Sequence, residues 1–221
     1  NNARDYTEFG NDGVVTGASW GATSGHDGKG AYTFDGSSNY FINLSPGTNI
    51  DFTNESFSIF AWVNPSVDDA GMIYDNRYEI SSVDSGWMFG LDGSGQLAFD
   101  INGDNDNTVE HSMNNLYEAG RWHHVGAVKK GVEVKYYVNG TYYDNDSVGT
   151  SDTVRYEATE NHHFIGKVGA RYANSYGIPK RYFTGVIDDV QIYNTSLTDA
   201  QILRLYQNRT DIIVSNETIL G

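Results

Sequence analysis

Two adjacent aspartates, Asp188 and Asp189, interrupt a segment from Val186 to Ile192 that carries apolar side chains on both parities. The period of two predicts a β-strand, and apolar side chains on both of its faces indicate a strand in the centre of a sheet. A carboxylate in such a strand is costly to bury unless a cation or hydrogen-bond donors compensate its charge. Asp188 is therefore a candidate metal ligand, which we favour over the alternative of an aspartate that caps a turn.

A second set of candidates is aromatic. Phe60 and Trp62 share one parity of a strongly apolar segment, and Trp87 is expected close to them. Aromatic rings suit sugars because they offer a flat apolar surface with polar groups at the edge. The alternative, which we favour, is that loops or a further layer cover these rings and form a second core.

Catalytic patterns are weak. The histidine pairs His123–His124 and His162–His163 suggest acid–base or metal chemistry, but adjacent residues of a strand point to opposite faces. No Gly-x-Ser-x-Gly segment supports a nucleophilic serine. The sequence therefore predicts that the chain is not an enzyme.

The elements that must position these residues are well marked near the end of the chain. The strand that contains Asp188 is followed by turn-forming residues at 194–196 and then by a helix near 198–206. Thr198 and Gln201 have the spacing of a capping box, and Leu197 with Ile202 has that of a hydrophobic staple.

Other segments read as short strands joined by turns. Residues 31–44 predict two strands around a turn at Asp35-Gly36, and Phe57–Val63 is the clearest strand. Residues 86–91 and 96–101 predict a hairpin, as do 122–129 and 132–139, with a further turn at Asn139-Gly140. Residues 163–168 predict one more strand.

Several of these segments carry a family pattern. The clearest is a Gly-x-Ile-Asp-Asp-Val-x-Ile-Tyr-Asn strand from Gly185 to Asn194, followed by the helix that starts at Leu197-Thr198. Further matches are Ala-x-x-Phe-Asp-Gly from Ala31, Trp-x-His-Val from Trp122 and Tyr-Val-Asn-Gly from Tyr137. The chain resembles laminin-G-like domains of the concanavalin A-like lectin/glucanase superfamily.

The resemblance implies an all-β fold, a concanavalin A-like jelly-roll sandwich of two antiparallel sheets with one short C-terminal helix. It assigns residues 1–207 to this domain and leaves 208–221 as a C-terminal extension, in which Ile212–Val214 is a candidate extra strand. Related jelly-roll glucanases carry acidic residues at alternate positions of one strand, and no Glu-x-Asp-x-Glu segment exists here.

The resemblance also implies a calcium ion where the N-terminal loop meets the last strand. It gives Asp5 and Asp188 as carboxylate ligands, with Asn11 and Gly36 as sources of backbone oxygens and Asp189 as the replacement for Asp188. This donor set is the one that Ca²⁺ prefers. The family usually has a strand before this loop, whereas only four residues precede Asp5.

Composition limits the class of partner. The chain has 221 residues, 29 acidic against 14 basic residues, a net charge of −15 and no cysteine. The negative charge disfavours nucleic acid and anionic membrane surfaces, and no segment is apolar enough for membrane insertion. The abundance of aspartate fits calcium-binding turns or a surface adapted to high salt, and we leave both open. No signal peptide begins the sequence, which indicates a mature form or a fragment.

Seven asparagines occur in Asn-x-Ser/Thr sequons, which predicts an extracellular and glycosylated protein. Asn139 is the weakest of them, because its Asn-Gly turn is expected to be partly buried. The other six candidates are Asn43, Asn54, Asn145, Asn194, Asn208 and Asn216.

These observations favour a non-catalytic, calcium-stabilised recognition or adhesion module at the cell surface that binds a glycan or a surface protein. The alternative is a structural subunit of a surface layer, filament or adhesin. Such a subunit would complete its exposed sheet edges with copies of itself or with neighbouring domains. A glycoside hydrolase is the least favoured interpretation.

Overall fold

The computed structural model describes residues 2–44, 50, 52, 56–68, 70–80, 83–91, 95–101, 108–112, 118–148, 154, 163–169, 182–207 and 217–219. Within these ranges the chain forms β-strands and a single short helix. The elements are β1 (Asn2–Ala3), β2 (Gly13–Thr16), β3 (Ser19–Gly21), β4 (Ala31–Asp35), β5 (Phe41–Leu44), β6 (Ser56–Pro65), β7 (Gly71–Asp75), β8 (Tyr78–Ile80), β9 (Val83–Ser85), β10 (Trp87–Leu91), β11 (Gln96–Ile101), β12 (Thr108–Ser112), β13 (His123–Lys130), β14 (Glu133–Val138), β15 (Thr141–Ser147), β16 (Phe164–Ile165), β17 (Thr184–Tyr193), α1 (Asp199–Tyr206) and β18 (Glu217–Ile219).

Two antiparallel sheets face each other, which confirms the predicted sandwich. The first sheet has the order β1-β2-β5-β16-β7-β10-β11-β12, and the second has the order β15-β14-β13-β6-β17-β4-β3 with β18 added to β17. The hairpins predicted at β10–β11 and β13–β14 are both present. The two strands predicted within 31–44 also form, but β4 belongs to the second sheet and β5 to the first.

β17 is central, as its two-sided apolar pattern predicted. It pairs with β6 on one side. On the other side its first half pairs with β4 and its last three residues pair with β18. The segment Ile212–Val214, predicted as an extra strand, lies outside the described residues, whereas β18 lies further along the same extension.

The main core fills the space between the two sheets. Alternate residues of β6 point into it from the second sheet, and Trp87 and Phe99 point into it from the first. The ring centroids of Phe57 and Trp87 lie 4.8 Å apart. The period of two in β6 therefore sorts its side chains as predicted, with Phe57, Ile59, Ala61 and Val63 on the core face.

A second hydrophobic cluster lies on the outer face of the second sheet, beneath α1. Its members are Phe60, Val128, Tyr137, Tyr193, Leu197, Ile202 and Leu205. The helix begins at the predicted cap: the Thr198 side chain accepts from the Gln201 N–H, and the Gln201 side chain accepts from the Thr198 N–H at 2.9 Å. Because Leu197 and Ile202 belong to the same cluster, the cap and the predicted staple fix the helix to the sheet.

A buried ion-pair cluster lies on the outer face of the first sheet. The guanidinium of Arg77 donates to Asp75 at 2.8 Å and to Asp100 at 2.6 Å, and all three residues are at most 1% exposed. The two carboxylates raise the pKa of Arg77 further above its usual range, although burial opposes them. Among the described residues, no helix has the length and apolarity that crossing a bilayer requires.

Candidate binding site on the outer face of the second sheet

Three side chains from three adjacent strands lie in one row. Asp188 of β17 is directly opposite Trp62 of β6, and Trp62 is directly opposite His124 of β13. Residues that are directly opposite in antiparallel strands project from the same face of the sheet. Since the neighbours Ile187 and Val63 point into the main core, this row lies on the outer face.

The loop between β3 and β4 places His26 over this row. The imidazole of His26 stacks on the indole of Trp62, with 4.2 Å between ring centroids and 8° between planes. The backbone N–H and the Nδ1 of His26 lie 3.0 and 2.9 Å from Oδ2 of Asp188, which accepts both hydrogen bonds. A Cβ at Gly25 would lie 2.6 Å from the same oxygen, so the loop needs glycine there to reach the carboxylate.

The C-terminal end of α1 covers the row from another direction. The ring of Tyr206 stacks on Trp62 at 5.5 Å and contacts His124 at 6.0 Å. Gly140, in the turn after β14, lets this helix approach, since a Cβ there would lie 2.8 Å from the Cβ of Tyr206. Trp62 is thus engaged by its own chain and does not present a free ring face to a ligand.

The site carries several carboxylates. Asp27, Asp188 and the imidazole of His26 each offer a ligand atom, and these atoms lie within 4.8 Å of one another. Within the described residues they form the one such group of three. Asp189 adds a carboxylate 3.8 Å from Nδ1 of His26. Burial, and then the charge of Asp188, raises the pKa of Asp189, whereas the hydrogen bond from Lys29 lowers the pKa of Asp27.

The bulge in β17 explains why two successive aspartates can both reach this site. The register between β17 and β6 shifts between Asp188 and Gln191, and Asp189 adopts φ = 44°. Few residues other than glycine adopt this conformation, but aspartate is among those that tolerate it. The bulge redirects the carboxylate of Asp189. This arrangement can attract a cation.

His124 contributes no positive charge to the site. Burial lowers its pKa to about 3, and the nearby His26 acts in the same direction. His123 projects from the opposite face of β13, as adjacent strand residues must, and burial also lowers its pKa. The two histidines therefore do not act as a pair.

Of the predicted calcium ligands, Asp5 and Asn11 lie together, whereas Gly36 lies far from Asp188. The Asp5 carboxylate already accepts the N–H and hydroxyl of Thr7 and the N–H of Asn11, at 2.7 to 2.8 Å. Asp35 pairs with Thr184 in an antiparallel register, so Gly36 lies one residue beyond Thr184 on the side away from Asp188. At about 3.3 Å per strand residue, this offset of about five residues separates Gly36 from Asp188 by roughly 16 Å.

Two ligands of one calcium ion lie within about 5 Å of each other, because each Ca–O distance is about 2.4 Å. On this strand register Gly36 and Asp188 lie too far apart to bind the same ion. A calcium ion bound by the other members of the predicted set, Asp5, Asn11 and Asp188, stays a prediction.

The aromatic candidates are also placed by the structure. Phe60 is fully buried in the second cluster, which agrees with the second-core interpretation. Trp87 is fully buried in the main core of the other sheet, where its ring stacks on Tyr74 at 4.3 Å. Neither side chain is accessible to a ligand, which excludes both residues from a surface platform and agrees with the favoured interpretation that these rings are covered.

The exposed aromatic surface lies elsewhere and was missed. Trp20 on the edge strand β3 is 56% exposed, and Tyr6 is 75% exposed. Trp20 is directly opposite Tyr32 of β4, and Tyr6 lies close enough to Tyr32 to raise its pKa, after burial as the main cause. We call these three residues the aromatic edge. A three-residue strand gives no local signal of its place at the edge of a sheet, which is why sequence patterns did not find it.

The indole of Trp20 is held against the backbone. A Cβ at Gly30 would lie 2.6 to 2.8 Å from Nε1, Cε2 and Cζ2 of Trp20, so only glycine leaves room for the ring. One side of the indole is thereby fixed to the chain, and more than half of the side chain faces outward. This combination gives an exposed aromatic surface that is packed on the backbone from one side.

The sequons differ in accessibility. Asn145 and Asn194 are exposed, whereas Asn43 is half-buried in β5 between two neighbouring strands. Asn139 lies in its turn with φ = 50°, is half-buried and accepts the N–H of His124 through its side chain. The remaining three, Asn54, Asn208 and Asn216, lie outside the described residues.

Similar folds occur in solved structures at low sequence identity. Domain 4 of AbnA, a GH43 extracellular arabinanase from Geobacillus stearothermophilus solved in complex with arabinotriose, has a TM-score of 0.62, 20% identity and 93% coverage of both chains. The binding domain of botulinum neurotoxin serotype G has a TM-score of 0.65 and 15% identity, over 93% of this chain and 48% of that one.

A heptameric SAP-like pentraxin from Limulus polyphemus has a TM-score of 0.54 and 16% identity, over 79% of this chain and 80% of that one. The present chain spans about half the length of the neurotoxin binding domain. At these identities the likeness shows a shared fold. No curated protein sequence matches the chain.

A family profile extends across most of the domain. The laminin G-like family described as the concanavalin A-like lectin/glucanases superfamily matches residues 35–203, from the end of β4 into α1. This range includes β6, β13 and β17, which carry the row Asp188, Trp62 and His124. The chain therefore belongs to the laminin G-like family of the concanavalin A-like lectin/glucanase superfamily.

Proposed function

We propose that this chain is a non-catalytic extracellular recognition module that binds a glycan at its aromatic edge. The observation that carries the proposal is the packing of Trp20 on Gly30, which leaves an exposed indole in a fixed orientation. A sugar ring stacks its apolar face on such a surface, while its hydroxyl groups bind neighbouring polar groups. Because the indole is already held, binding orders little additional side chain, and the entropic cost is small.

The comparisons support a binding role. One similar domain was solved with arabinotriose, and another is the binding domain of a neurotoxin. They therefore favour recognition over catalysis. A surface protein is the other class of partner consistent with these relatives.

Asp188 and Asp27 do not form a glycosidase pair. Hydrolysis by the usual route requires two carboxyl groups that flank the bond, one of them a proton donor. Asp188 accepts hydrogen bonds from His26, and Asp27 is paired with Lys29 at 2.7 Å. We expect no hydrolysis of β-glucans or sialosides.

The proposal includes a calcium ion only at the N-terminal loop. Asp5, Asn11 and Asp12 lie together there, and the Asp12 carboxylate accepts the N–H of Asp5 at 2.9 Å. Ca²⁺ at this loop would stabilise the folded state in proportion to its occupancy. This part is tested by the melting temperatures of the wild type and of Asp5→Asn, each measured in calcium and in chelator. A melting temperature that is higher in calcium for the wild type alone supports the calcium site. A wild-type melting temperature that is the same in calcium and in chelator refutes it.

A glycan array probed with the wild type and Trp20→Ala tests the main proposal. We expect the wild type to bind a defined group of saccharides and Trp20→Ala to lose at least ten-fold in affinity, measured afterwards by calorimetry. The matched control is Tyr142→Ala, which removes another exposed ring, 45% exposed on edge strand β15. Equal loss in both variants, or none in Trp20→Ala, contradicts the assignment. If the wild type instead binds a surface protein that carries no glycan, the ligand of the aromatic edge is a protein.

A further inference from the structure

We propose that His26, Asp188 and Asp27 bind a divalent transition-metal ion of the Zn²⁺ class on the outer face of the second sheet. This site lies apart from the aromatic edge and goes beyond the proposed function. It shares only Asp188 with the expected calcium site, and it takes a different ion. The observation behind it is the buried imidazole of His26, which lies close to carboxylate oxygens of Asp188, Asp189 and Asp27.

The types of donor atom select the ion. Calcium takes six to eight oxygen ligands, whereas an imidazole nitrogen with carboxylate oxygens suits Zn²⁺, Co²⁺ or Ni²⁺. His26 supplies the nitrogen, and Asp188 and Asp27 supply the oxygens. Asp189 lies close enough to add a fourth protein ligand, and water would complete the coordination otherwise.

The distances fit one small ion. Ligand atoms about 2.1 Å from a common tetrahedral or octahedral ion lie roughly 3.0 to 3.4 Å from each other. Nδ1 of His26 lies 2.9 Å from Oδ2 of Asp188 and 3.8 Å from Oδ2 of Asp189. The ligand atom of Asp27 lies within 4.8 Å of the ligand atoms of His26 and Asp188. Side-chain shifts of about 1 Å would therefore bring the donors to bonding distance.

The imidazole is held in the orientation that coordination needs. Its ring is fixed on Trp62 by stacking, and the backbone N–H of His26 is fixed on Asp188. The side chains of His26 and Asp188 are only 7% and 9% exposed. Partners that fix a ligating histidine typically raise metal affinity, because the ring does not lose further freedom on binding.

The local charge favours a cation. Three carboxylates, those of Asp27, Asp188 and Asp189, face two basic groups within the described residues, His26 and Lys29. The ammonium of Lys29 pairs with Asp27, but its side chain is 81% exposed and is free to withdraw. If His26 only formed a hydrogen bond with Asp188, the carboxylates of Asp27 and Asp189 would have no role at this position, whereas a metal ion uses them as ligands.

Titration of chelator-treated protein with Co²⁺ tests the site. Co²⁺ bound by nitrogen and oxygen ligands gives a visible absorption band, whose intensity increases as the coordination approaches four. We expect one equivalent of Co²⁺ to produce the band, equimolar Zn²⁺ to abolish it, and a hundred-fold excess of Ca²⁺ to leave it. No band at millimolar Co²⁺, or displacement by equimolar Ca²⁺, overturns the proposal.

Three variants locate the ion. His26→Gln should lose the band, and Asp27→Asn should weaken Co²⁺ binding by about ten-fold or more while leaving melting in chelator unchanged. Glu118→Gln, an exposed carboxylate paired with Arg121, is the matched control and should bind as the wild type. Near-ultraviolet circular dichroism confirms that each variant is folded. A band retained by folded His26→Gln, or unchanged affinity in Asp27→Asn, refutes the assigned ligands.

Glycan binding by the same variants separates the two proposals. His26→Gln and Asp27→Asn should keep the affinity of the wild type for the saccharide found on the array. Loss of Co²⁺ with intact glycan binding supports the metal site alone, and loss of glycan binding only in Trp20→Ala supports the aromatic edge alone.

Discussion

His26 and Trp62 are stacked, with ring centroids 4.2 Å apart and planes that differ by 8°. The contact joins the loop between β3 and β4 to the centre of the second sheet. We predict a coupling energy of about 1 kcal/mol in a double-mutant cycle of His26→Ala and Trp62→Leu, measured by urea unfolding in chelator. The pair Tyr137 and Tyr142, which meet edge to face at 6.0 Å at the sheet edge, serves as the comparison. Additive effects at the first pair would show that the stack contributes no stability.

Arg77 lies between two buried carboxylates, and its removal leaves both without their cation. We predict that Arg77→Met lowers the free energy of unfolding by about 3–5 kcal/mol or prevents folding. The matched control is Arg121→Met, which breaks the exposed pair with Glu118 and should have little effect. Calorimetric melting of both variants decides the matter, and similar melting temperatures would contradict the prediction.

His124 makes the fold sensitive to acid. Its pKa is about 3 in the folded state against 6.5 for the exposed side chain, so only the unfolded chain takes up this proton between these values. The free energy of unfolding should therefore fall as the pH falls from 6.5 towards 3, by about 1.4 kcal/mol per pH unit from this group.

The variant His124→Phe removes that dependence and keeps an aromatic ring against Phe60, on which His124 stacks at 5.4 Å. Urea unfolding at pH 7 and pH 5 should show a smaller loss in the variant than in the wild type, by about 2 kcal/mol or less. Parallel losses would show that His124 is protonated in the folded state at pH 5.

The capping box sets the stability of α1. Thr198→Ala removes the acceptor for the Gln201 N–H and should cost about 1 kcal/mol of unfolding free energy. Gln201→Ala keeps that acceptor and removes the reciprocal bond, so it should cost less. Urea unfolding compares the two, and the opposite order would mean that the Gln201 side chain is the main contributor.

Gly30 controls the aromatic edge without contributing a side chain to it. Gly30→Ala places a methyl group within 2.8 Å of the Trp20 ring and must displace the indole. We predict weaker glycan binding than in the wild type, although Trp20 is present, and a changed tryptophan emission spectrum. The control is Gly28→Ala in the same loop, whose added methyl group meets no atom within 4 Å. Because Gly28 has a φ of 79°, this variant reports the effect of backbone strain alone. Unchanged binding in Gly30→Ala would contradict the assigned role of the packing.

Local patterns predicted the parts of the fold that local physics decides. The alternation in β6 separates core residues from outer ones, and the Thr198–Gln201 spacing marks the start of α1; the structure confirms both. Sheet membership is different. β4 and β5 are six residues apart and lie in opposite sheets, because long-range pairing rather than local sequence decides where each strand goes.

The candidate site was predicted only in part. Asp188 was recognised as a carboxylate that needs a partner, but its partner His26 lies 162 residues away in a glycine-rich loop that has no periodic pattern. Gly36 was grouped with Asp188 for a similar reason: matching positions in the sequence do not fix which end of a strand they occupy. Trp20 was missed because its exposure depends on the edge position of β3.

The central position of β17 has a consequence for synthesis of the chain. β17 inserts between β6 and β4, and Ile192 pairs with Ile59, which the ribosome makes 133 residues earlier. Until β17 emerges, the edges of β6 and β4 that it will occupy lack their partner. Unpaired edges of this kind recruit other strands, so nascent chains on crowded polysomes are most exposed to mispairing in that interval. Slow translation of residues 65–184 should lengthen the interval, whereas chaperones that bind extended segments should protect the chain during it.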